Sequence, residues 1–293
     1  MTQSTAPTSR TGKPRRRHRR IAAVLLVGYS MLWIFGGCAD MFLLHPTTGT
    51  IATDGATRME IPVAGTTPVE VYARRVNVSP GKEPQAFILV FDGNGGRAEN
   101  AVFWGDDLAR QHAVEVWSMN YPGFGGSPGK ARLSGIAASA LATYDAIKQK
   151  AGDRPVVVWG ASMGSTAALH IAAHRPVVGL VLTNPPPLRQ LILGRYGWWN
   201  LWILALPVSS GIPSDLDNVA NAATVKCPAV IVTAQDDFTV PAGYQQKVID
   251  AYAGPKQLVP LPNAGHNTPA GQSNPTAWYA AIDWLWTQVG VGN

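Results

Sequence analysis

The sequence has few cysteines and few charged side chains. Its 293 residues include two cysteines, Cys38 and Cys227. Two cysteines cannot build a disulfide framework, and without any C-x-x-C pair the common structural zinc sites are excluded. Charged residues make up 14% and hydrophobic residues 46% of the chain, which is typical of a folded protein with a sizeable core rather than a disordered one.

Acidic residues are absent from the first 20 positions, and this decides how the net charge is interpreted. The basic residues there are Arg10, Lys13, Arg15, Arg16, Arg17, Arg19 and Arg20. Because the whole chain carries a formal charge of +6, residues 21–293 sum to −1. A nucleic-acid-binding protein needs a basic face on its folded body. We therefore expect no nucleic-acid partner.

The N-terminal segment has the pattern of a targeting device. A charge-free run of fifteen residues, 21–35, follows the basic residues, as in a secretory signal; continued to Leu44 it spans 24 residues, interrupted only by Asp40, enough to cross a bilayer. We predict a basic cytoplasmic tail over 1–20 and either a transmembrane anchor or a lipoprotein-type signal over 21–44, with Cys38 as the lipid-attachment candidate. The positive-inside rule then gives a membrane-anchored protein with residues 45–293 extracytoplasmic.

From residue 51 onward, short β-rich runs alternate with amphipathic segments. This alternation predicts an α/β fold with a mostly parallel sheet flanked by helices. The predicted strands are 69–76, 85–91, 114–119, 155–159, 177–183, 229–233 and 257–261, and the predicted helices are 97–111, 133–150, 163–173, 241–251 and 275–289. Residues 185–226 break the alternation with a proline run and a tryptophan-rich stretch.

A G-x-S-x-G motif, Gly160-Ala-Ser162-Met-Gly164, lies between a buried strand and a helix. In this context the pattern is typical of a nucleophile elbow, in which the serine occupies a tight strand-to-helix turn. The helix N-terminus directs backbone N–H groups at the place where an oxyanion forms. Ser162 is therefore the candidate nucleophile.

A serine nucleophile needs a histidine base and an orienting acid, which on such an elbow follow the serine in the order acid, then histidine. His266 lies after Ser162 in a loop beyond the last predicted strand, whereas His170 and His174 fall on the helix after the elbow. For the acid, the adjacent Asp236 and Asp237 are both candidates. A second glycine-rich turn, 91–96, follows another buried strand and is suited to donate a backbone N–H to an oxyanion.

Taken together, the segments D-G-N-G-G, N-Y-P-G-F-G-G-S, G-A-S-M-G, D-D-F-T-V-P and A-G-H resemble the α/β-hydrolase superfamily. More narrowly, the chain is similar, over about residues 40–290, to membrane-associated serine hydrolases of the serine aminopeptidase-like branch. The resemblance implies an α/β-hydrolase domain over 45–293 with a cap insertion at about 185–226. It selects Asp237 as the acid and the backbone N–H groups of Asn94 and Met163 as the oxyanion hole. It implies no metal and no organic cofactor.

Two residues depart from the family pattern, and the substrate stays open. Pro122 stands where many relatives have arginine. Asp92 stands where relatives commonly have histidine, which places a carboxylate near a site that stabilises negative charge. The tryptophans of the cap and the membrane segment favour a small-molecule or lipid acyl substrate. We expect a serine hydrolase of carboxylic esters or thioesters acting through an acyl-enzyme. The alternatives are a serine peptidase of the same fold and a non-catalytic module that binds a lipid or a partner.

Overall fold

The computed structural model describes residues 14–34 and 38–291. Within them, eight strands form one sheet in the order β1-β2-β4-β3-β5-β6-β7-β8. The strands are β1 (Thr57–Ile61), β2 (Val69–Val76), β3 (Ala86–Phe91), β4 (Val114–Met119), β5 (Val156–Ala161), β6 (Gly179–Thr183), β7 (Ala229–Ala234) and β8 (Lys256–Leu261). The strand β2 pairs antiparallel with β1 and β4, and the pairs from β4 through β8 are parallel.

Helices lie on both faces of this sheet. In chain order they are α1 (Pro14–Ile34), α2 (Cys38–Leu43), α3 (Ala98–Ala101), α4 (Gly105–Ala109), α5 (Leu133–Ala151), α6 (Gly164–His174), α7 (Leu188–Leu191), α8 (Ala205–Ser210), α9 (Asn218–Ala222), α10 (Ala242–Ala251), α11 (Ala270–Ser273) and α12 (Pro275–Val289). One face of the sheet packs against α5, α6 and α10, and the other against α3, α4 and α12. The predicted mostly parallel sheet with flanking helices is confirmed.

The two-sided packing explains why the central strands are so apolar. The strands β3 and β4 are buried at every position, as expected when helices cover both faces of a parallel sheet. Parallel pairing brings the carboxyl ends of β3, β5, β6, β7 and β8 to one edge. Loops at that edge are where open α/β sheets carry ligands and catalytic groups.

Two parts of the body differ from the sequence prediction. The strand β1 is an additional edge strand whose residues are mostly exposed, so it lacks the continuous apolar run that marked the buried strands. The single helix predicted over 97–111 is wrong, because this segment forms α3 and α4 with a turn between them. Gly105, the first residue of α4, lies so close to Val116 of the sheet that a Cβ would meet its side chain at 2.2 Å. This close approach requires the chain to bend toward the sheet.

The structure describes the predicted anchor segment, 21–44, in two parts that lie on either side of residues 35–37. The helix α1 contains five of the seven basic residues and is described as far as Ile34. From residue 38 onward the chain belongs to the folded body: Ala39 and Leu44 are buried in its core. Among the described residues, no helix is long and apolar enough to cross a membrane.

Parts of the N-terminal predictions lie outside the described residues. These parts are positions 1–13 of the basic tail and residues 35–37, which precede the lipid-attachment candidate Cys38.

The segment predicted as a cap lies between β6 and β7. It contains α7, a π-helical turn (Ile192–Tyr196), two short 3-10 turns (Trp198–Asn200 and Ser214–Leu216), α8 and α9. Its helix α8 packs against α2. The N-terminal helix of the body and the cap segment therefore lie side by side above the sheet edge.

Candidate active site

Ser162 occupies the tight turn between β5 and α6. Its backbone is in the left-handed region, with φ of 50°, which is unusual for a residue other than glycine. Its N–H donates to the carbonyl of Thr183 at 2.7 Å. A Cβ at Gly164 would lie 2.1 Å from the carbonyl oxygen of Phe91, and one at Gly160 would lie 2.4 Å from that of Gly164. Both glycines of the motif are therefore required by close backbone packing.

His266 and Asp237 form a hydrogen-bonded pair. The distance between Nδ1 of His266 and Oδ2 of Asp237 is 2.6 Å. The other carboxylate oxygen of Asp237 accepts from the backbone N–H groups of Thr239 and Val240, each at 2.8 Å. Asp237 is 4% exposed, whereas Asp236 is exposed. The structure therefore brings Asp237, rather than its neighbour, to the histidine.

Two residues that sequence reasoning missed hold this pair in place. Gln245, buried on α10, donates from Nε2 to Oδ2 of Asp237 at 3.1 Å. Asn184, just beyond β6, donates from Nδ2 to the carbonyl of His266 at 2.8 Å and accepts from the N–H of Ala234 at 2.9 Å. These contacts join residues up to 82 positions apart, so no local sequence signal reveals them.

The structure does not join Ser162 to His266 directly. In the part of the chain that is described, the serine hydroxyl makes no hydrogen bond to the imidazole ring. The two residues are connected through β6, because Thr183 accepts from Ser162 and the adjacent Asn184 holds the histidine loop. A hydrogen bond between nucleophile and base often tightens only when substrate is bound. Ser162 and His266 thus lie at the same sheet edge, but the hydrogen bond between serine and histidine that a catalytic triad requires is not formed within the described structure.

Two backbone N–H groups close to the nucleophile have no hydrogen-bond acceptor among the described residues. In residues 14–34 and 38–291, those of Asn94 and Met163 donate to no acceptor. Met163 lies at the N-terminus of the eleven-residue helix α6, where the helix dipole favours negative charge. The turn that contains Asn94 abuts the nucleophile, because a Cβ added at Gly93 would lie 3.3 Å from Cβ of Ser162. This arrangement fits an oxyanion hole.

The carboxylate of Asp92 organises the turn that precedes α3. Its two oxygens accept from the N–H groups of Gly93 at 2.6 Å and of Arg97 at 3.0 Å. A Cβ at Gly96 would lie only 2.1 Å from the Asp92 carboxyl carbon, so the turn closes tightly around this side chain. Burial raises the pKa of Asp92 to about 6, against the lowering effect of the two backbone donors. Asp92 thus shapes the turn that presents Asn94, and it titrates near neutral pH.

The side chain of Asn94 links this turn to the end of α2. Its Oδ1 accepts from the N–H of His45 at 2.8 Å, and its Nδ2 donates to the carbonyl of Leu43 at 2.6 Å and lies 2.8 Å from Nδ1 of His45. The sequence placed His45 at the border of the predicted anchor. The structure places it beside the candidate oxyanion hole, so the segment after α2 is part of the site.

A largely apolar cavity of about 440 Å³ reaches the nucleophile. The polar groups Ser162, Asn94 and His45 line it together with apolar side chains from α2, α7 and α8 and from the turns between α7 and α8. This volume and this lining are typical of a pocket for a small ligand. Among the described residues, His266 and Asp237 do not line it. The same part of the chain contains no cluster of three or more His, Cys, Asp or Glu side chains suited to a metal ion.

Comparisons with known proteins agree with this geometry. The family model described as "alpha/beta hydrolase fold" matches residues 87–206. Est1E from Butyrivibrio proteoclasticus superposes with a TM-score of 0.60 at 16% sequence identity, covering 80% of this chain and 99% of that structure. The chain therefore has the α/β-hydrolase fold, as its motifs predict.

Curated relatives are similar over part of the chain. An uncharacterized protein of Mycobacterium tuberculosis is 30% identical over 189 residues, which cover 62% of this chain and 63% of that protein. Lysophosphatidylserine lipase ABHD12 of Xenopus tropicalis is 30% identical over 157 residues, covering 49% of this chain and 40% of the lipase. This chain thus spans less than two thirds of the length of either relative.

Proposed function

We propose that this protein is a serine hydrolase that cleaves carboxylic ester or thioester bonds of lipid-like acyl substrates. The observation that carries the proposal is the position of Ser162. It lies at a positive φ on the turn between β5 and α6 and lines an apolar cavity, while the hydrogen-bonded His266 and Asp237 lie in loops at the same sheet edge. A nucleophile, a base and an orienting acid are the components of an acyl-transfer site.

In the proposed mechanism, the hydroxyl of Ser162 attacks the carbonyl carbon of the substrate. His266 accepts the hydroxyl proton at Nε2 and then donates it to the leaving group, while Asp237 fixes the tautomer through Nδ1. The N–H groups of Asn94 and Met163 bind the oxyanion, each contributing on the order of 3 kcal/mol. A water molecule activated by His266 then hydrolyses the acyl-enzyme.

The apolar character of the cavity favours an acyl chain as its occupant. The lysophosphatidylserine lipases to which this chain is similar support a lipid ester as substrate. We also propose that the protein belongs to the serine aminopeptidase-like branch. The membrane-anchored, extracytoplasmic location predicted from residues 1–44 is likewise part of the proposal. Fusion of residues 1–45 to a reporter enzyme that is active only outside the cytoplasm tests that location.

A second candidate is the non-catalytic binding module. The missing hydrogen bond between Ser162 and His266 in the described structure is the observation that favours it, because a binding role requires no such contact. Reactivity of the serine separates the two candidates.

Labelling with a fluorophosphonate probe tests the proposal directly. We expect the full-length protein to be labelled, and the variants Ser162→Ala and His266→Ala to lose labelling while keeping the circular dichroism of the wild type. Ser165→Ala is the matched control, since Ser165 lies three residues after the nucleophile, in the first turn of α6, and its hydroxyl donates to the carbonyl of Ser162. A folded wild type that is not labelled would sink the hydrolase assignment and leave the binding module.

A further inference from the structure

The cap segment presents a large apolar surface to solvent. Within residues 196–206, which we name the apolar cap face, eight apolar or aromatic side chains are exposed. Trp198 is 67% and Leu201 is 75% exposed. Phe42 on the adjacent helix α2 is exposed as well. A contiguous apolar patch of this kind is uncommon on soluble monomers and marks an interaction surface.

The backbone of the apolar cap face is held in an unusual conformation. Leu201 and Trp202 are consecutive residues with φ of 50° and 59°, a region that costs bulky residues on the order of 1–3 kcal/mol each. Hydrogen bonds from Trp202 fix the turn: its N–H donates to the carbonyl of Gly197 at 2.8 Å, and its Nε1 to that of Leu193 at 3.1 Å. The fold therefore stabilises a turn that exposes Leu201.

The apolar cap face is continuous with the candidate active site. Tyr196, Trp199 and Leu204 are exposed on this face and also line the cavity that reaches Ser162. The surface thus adjoins the cavity. A partner that rests on it lies next to the candidate site.

The charged residues of the cap segment that lie nearest to this surface in the chain are basic, because Asp215 and Asp217 follow it only after residue 214. No Asp or Glu occurs between residues 154 and 214, whereas Arg189 and Arg195 lie in the cap segment. The nearest acidic residue of α2, Asp40, is half-buried, and its side chain accepts from the N–H of Leu133 at 2.8 Å. The helix α1, which precedes α2 in the chain, begins with a cluster of arginines. An anionic surface is complementary to this distribution.

We infer that the apolar cap face rests on an anionic lipid bilayer, with the cavity entrance open to the lipid. Tryptophan and tyrosine are the side chains that favour the boundary between acyl chains and headgroups, and basic residues add attraction to anionic lipids. The inference deepens the proposed function, on which it rests, because it names the bilayer as the source of the acyl substrate. A second copy of the chain seated on the same face would close the entrance, whereas a bilayer feeds it.

Hydrogen–deuterium exchange on the full-length protein locates the docking surface. Vesicles of phosphatidylcholine with about one third phosphatidylglycerol should slow exchange of amides 196–206 at least severalfold, and vesicles of phosphatidylcholine alone should have a smaller effect. Higher salt should weaken the protection. Protection confined to residues 14–34 would contradict the inference, since the protein would then be held only through its N-terminal helix. Protection of 196–206 that rises with protein concentration without vesicles would assign the face to a second copy.

A pair of variants separates docking from chemistry. Trp198→Ser combined with Leu201→Ser removes exposed apolar area outside the cavity lining; Leu258→Ser, at an exposed position on the edge strand β8, is the matched control. We expect the double variant to bind anionic vesicles at least tenfold more weakly and to hydrolyse a vesicle-embedded ester correspondingly slowly, with an unchanged rate on soluble p-nitrophenyl butyrate. Equal vesicle binding by the double variant would overturn the inference. A wild type that is neither labelled by the fluorophosphonate probe nor able to hydrolyse p-nitrophenyl butyrate would instead refute the proposed function.

Discussion

At the scale of single residues, two adjacent carboxylates have different environments. Asp237 is buried and binds His266, Thr239 and Val240, whereas Asp236 is exposed. Chain order leaves either residue as the acid, because both follow β7 in one loop, and only the family resemblance selects Asp237. The environment of each side chain, and not its identity, determines which carboxylate contacts the histidine.

Replacing these carboxylates one at a time tests the assignment. Asp237→Asn should lower kcat for a soluble ester by about 10⁴-fold, because the amide no longer stabilises the imidazolium or the required tautomer. Asp236→Asn is the isosteric control and should retain wild-type kcat. Steady-state kinetics on p-nitrophenyl esters measures both. A comparable loss in the two variants would place the acid elsewhere.

Asp92 gives the protein a pH dependence of stability. Its pKa is about 6 in the folded protein, against an ordinary value of 3.8, so between these values the folded state binds more protons than the unfolded state. The stabilisation is present at low pH and is lost as the pH rises through about 6. Asp92→Asn removes this contribution. We therefore compare the free energy of unfolding of the variant with that of the wild type at each pH. The difference, variant minus wild type, should rise by about 2 kcal/mol from about pH 4.5 to about pH 7.5.

Urea unfolding at the two pH values measures this difference. Because each protein is compared with itself, a constant effect of the lost hydrogen bond to Gly93 or Arg97 cancels. A difference between variant and wild type that does not change with pH would show that the carboxyl group is already ionised at pH 4.5.

At the scale of elements, the turn between β5 and α6 depends on its glycines for steric reasons. Gly164→Ala introduces a Cβ 2.1 Å from the backbone oxygen of Phe91, which cannot move without disturbing β3. We expect a loss of about 3 kcal/mol or more in the free energy of unfolding. Gly243→Ala on α10 is the matched control, since its Cβ meets no atom within 4 Å; there alanine should be neutral or stabilise by about 0.5 kcal/mol. Chemical denaturation of both variants measures the contrast.

The elements that the sequence predicts best are those buried on both faces. The strand β3, predicted over 85–91, runs from Ala86 to Phe91, because a continuous apolar run is the direct signature of two-sided burial. The exposed edge strand β1 lacks that signature. Composition alone does not separate two uses of apolar residues, since Ala39 and Leu44 belong to the predicted anchor segment 21–44 and are buried in the protein core.

The candidate site also contains both residues that the sequence identifies and residues that it misses. Ser162 and His266 were identified from motif and chain order, and the structure places them at one sheet edge. Gln245, Asn184 and His45 were missed because their roles depend on contacts between distant parts of the chain. The sequence therefore predicts the reacting groups better than the residues that position them.

At the scale of the whole molecule, the cap segment and the end of α2 enclose a cavity that suits an acyl chain. Each methylene buried there contributes about 0.8 kcal/mol, which is about fourfold in kcat/KM when the transition state keeps the contact. We therefore expect kcat/KM for soluble p-nitrophenyl esters to rise by about this factor per methylene from the acetate until the cavity is filled.

A bulkier side chain inside the cavity should reduce the acyl chain length at which kcat/KM stops rising. Ala205 is buried on α8 and lines the cavity, so Ala205→Phe occupies space that the distal methylenes would use. Its neighbour Leu206 is exposed, and Leu206→Phe is the control that should keep the wild-type chain-length profile. Kinetics on monomeric esters below their aggregation limit separates this effect from binding to a lipid surface. If kcat/KM were independent of chain length in the wild type, the cavity would not hold the acyl group, and the apolar lining would have to bind the alcohol side of the ester instead.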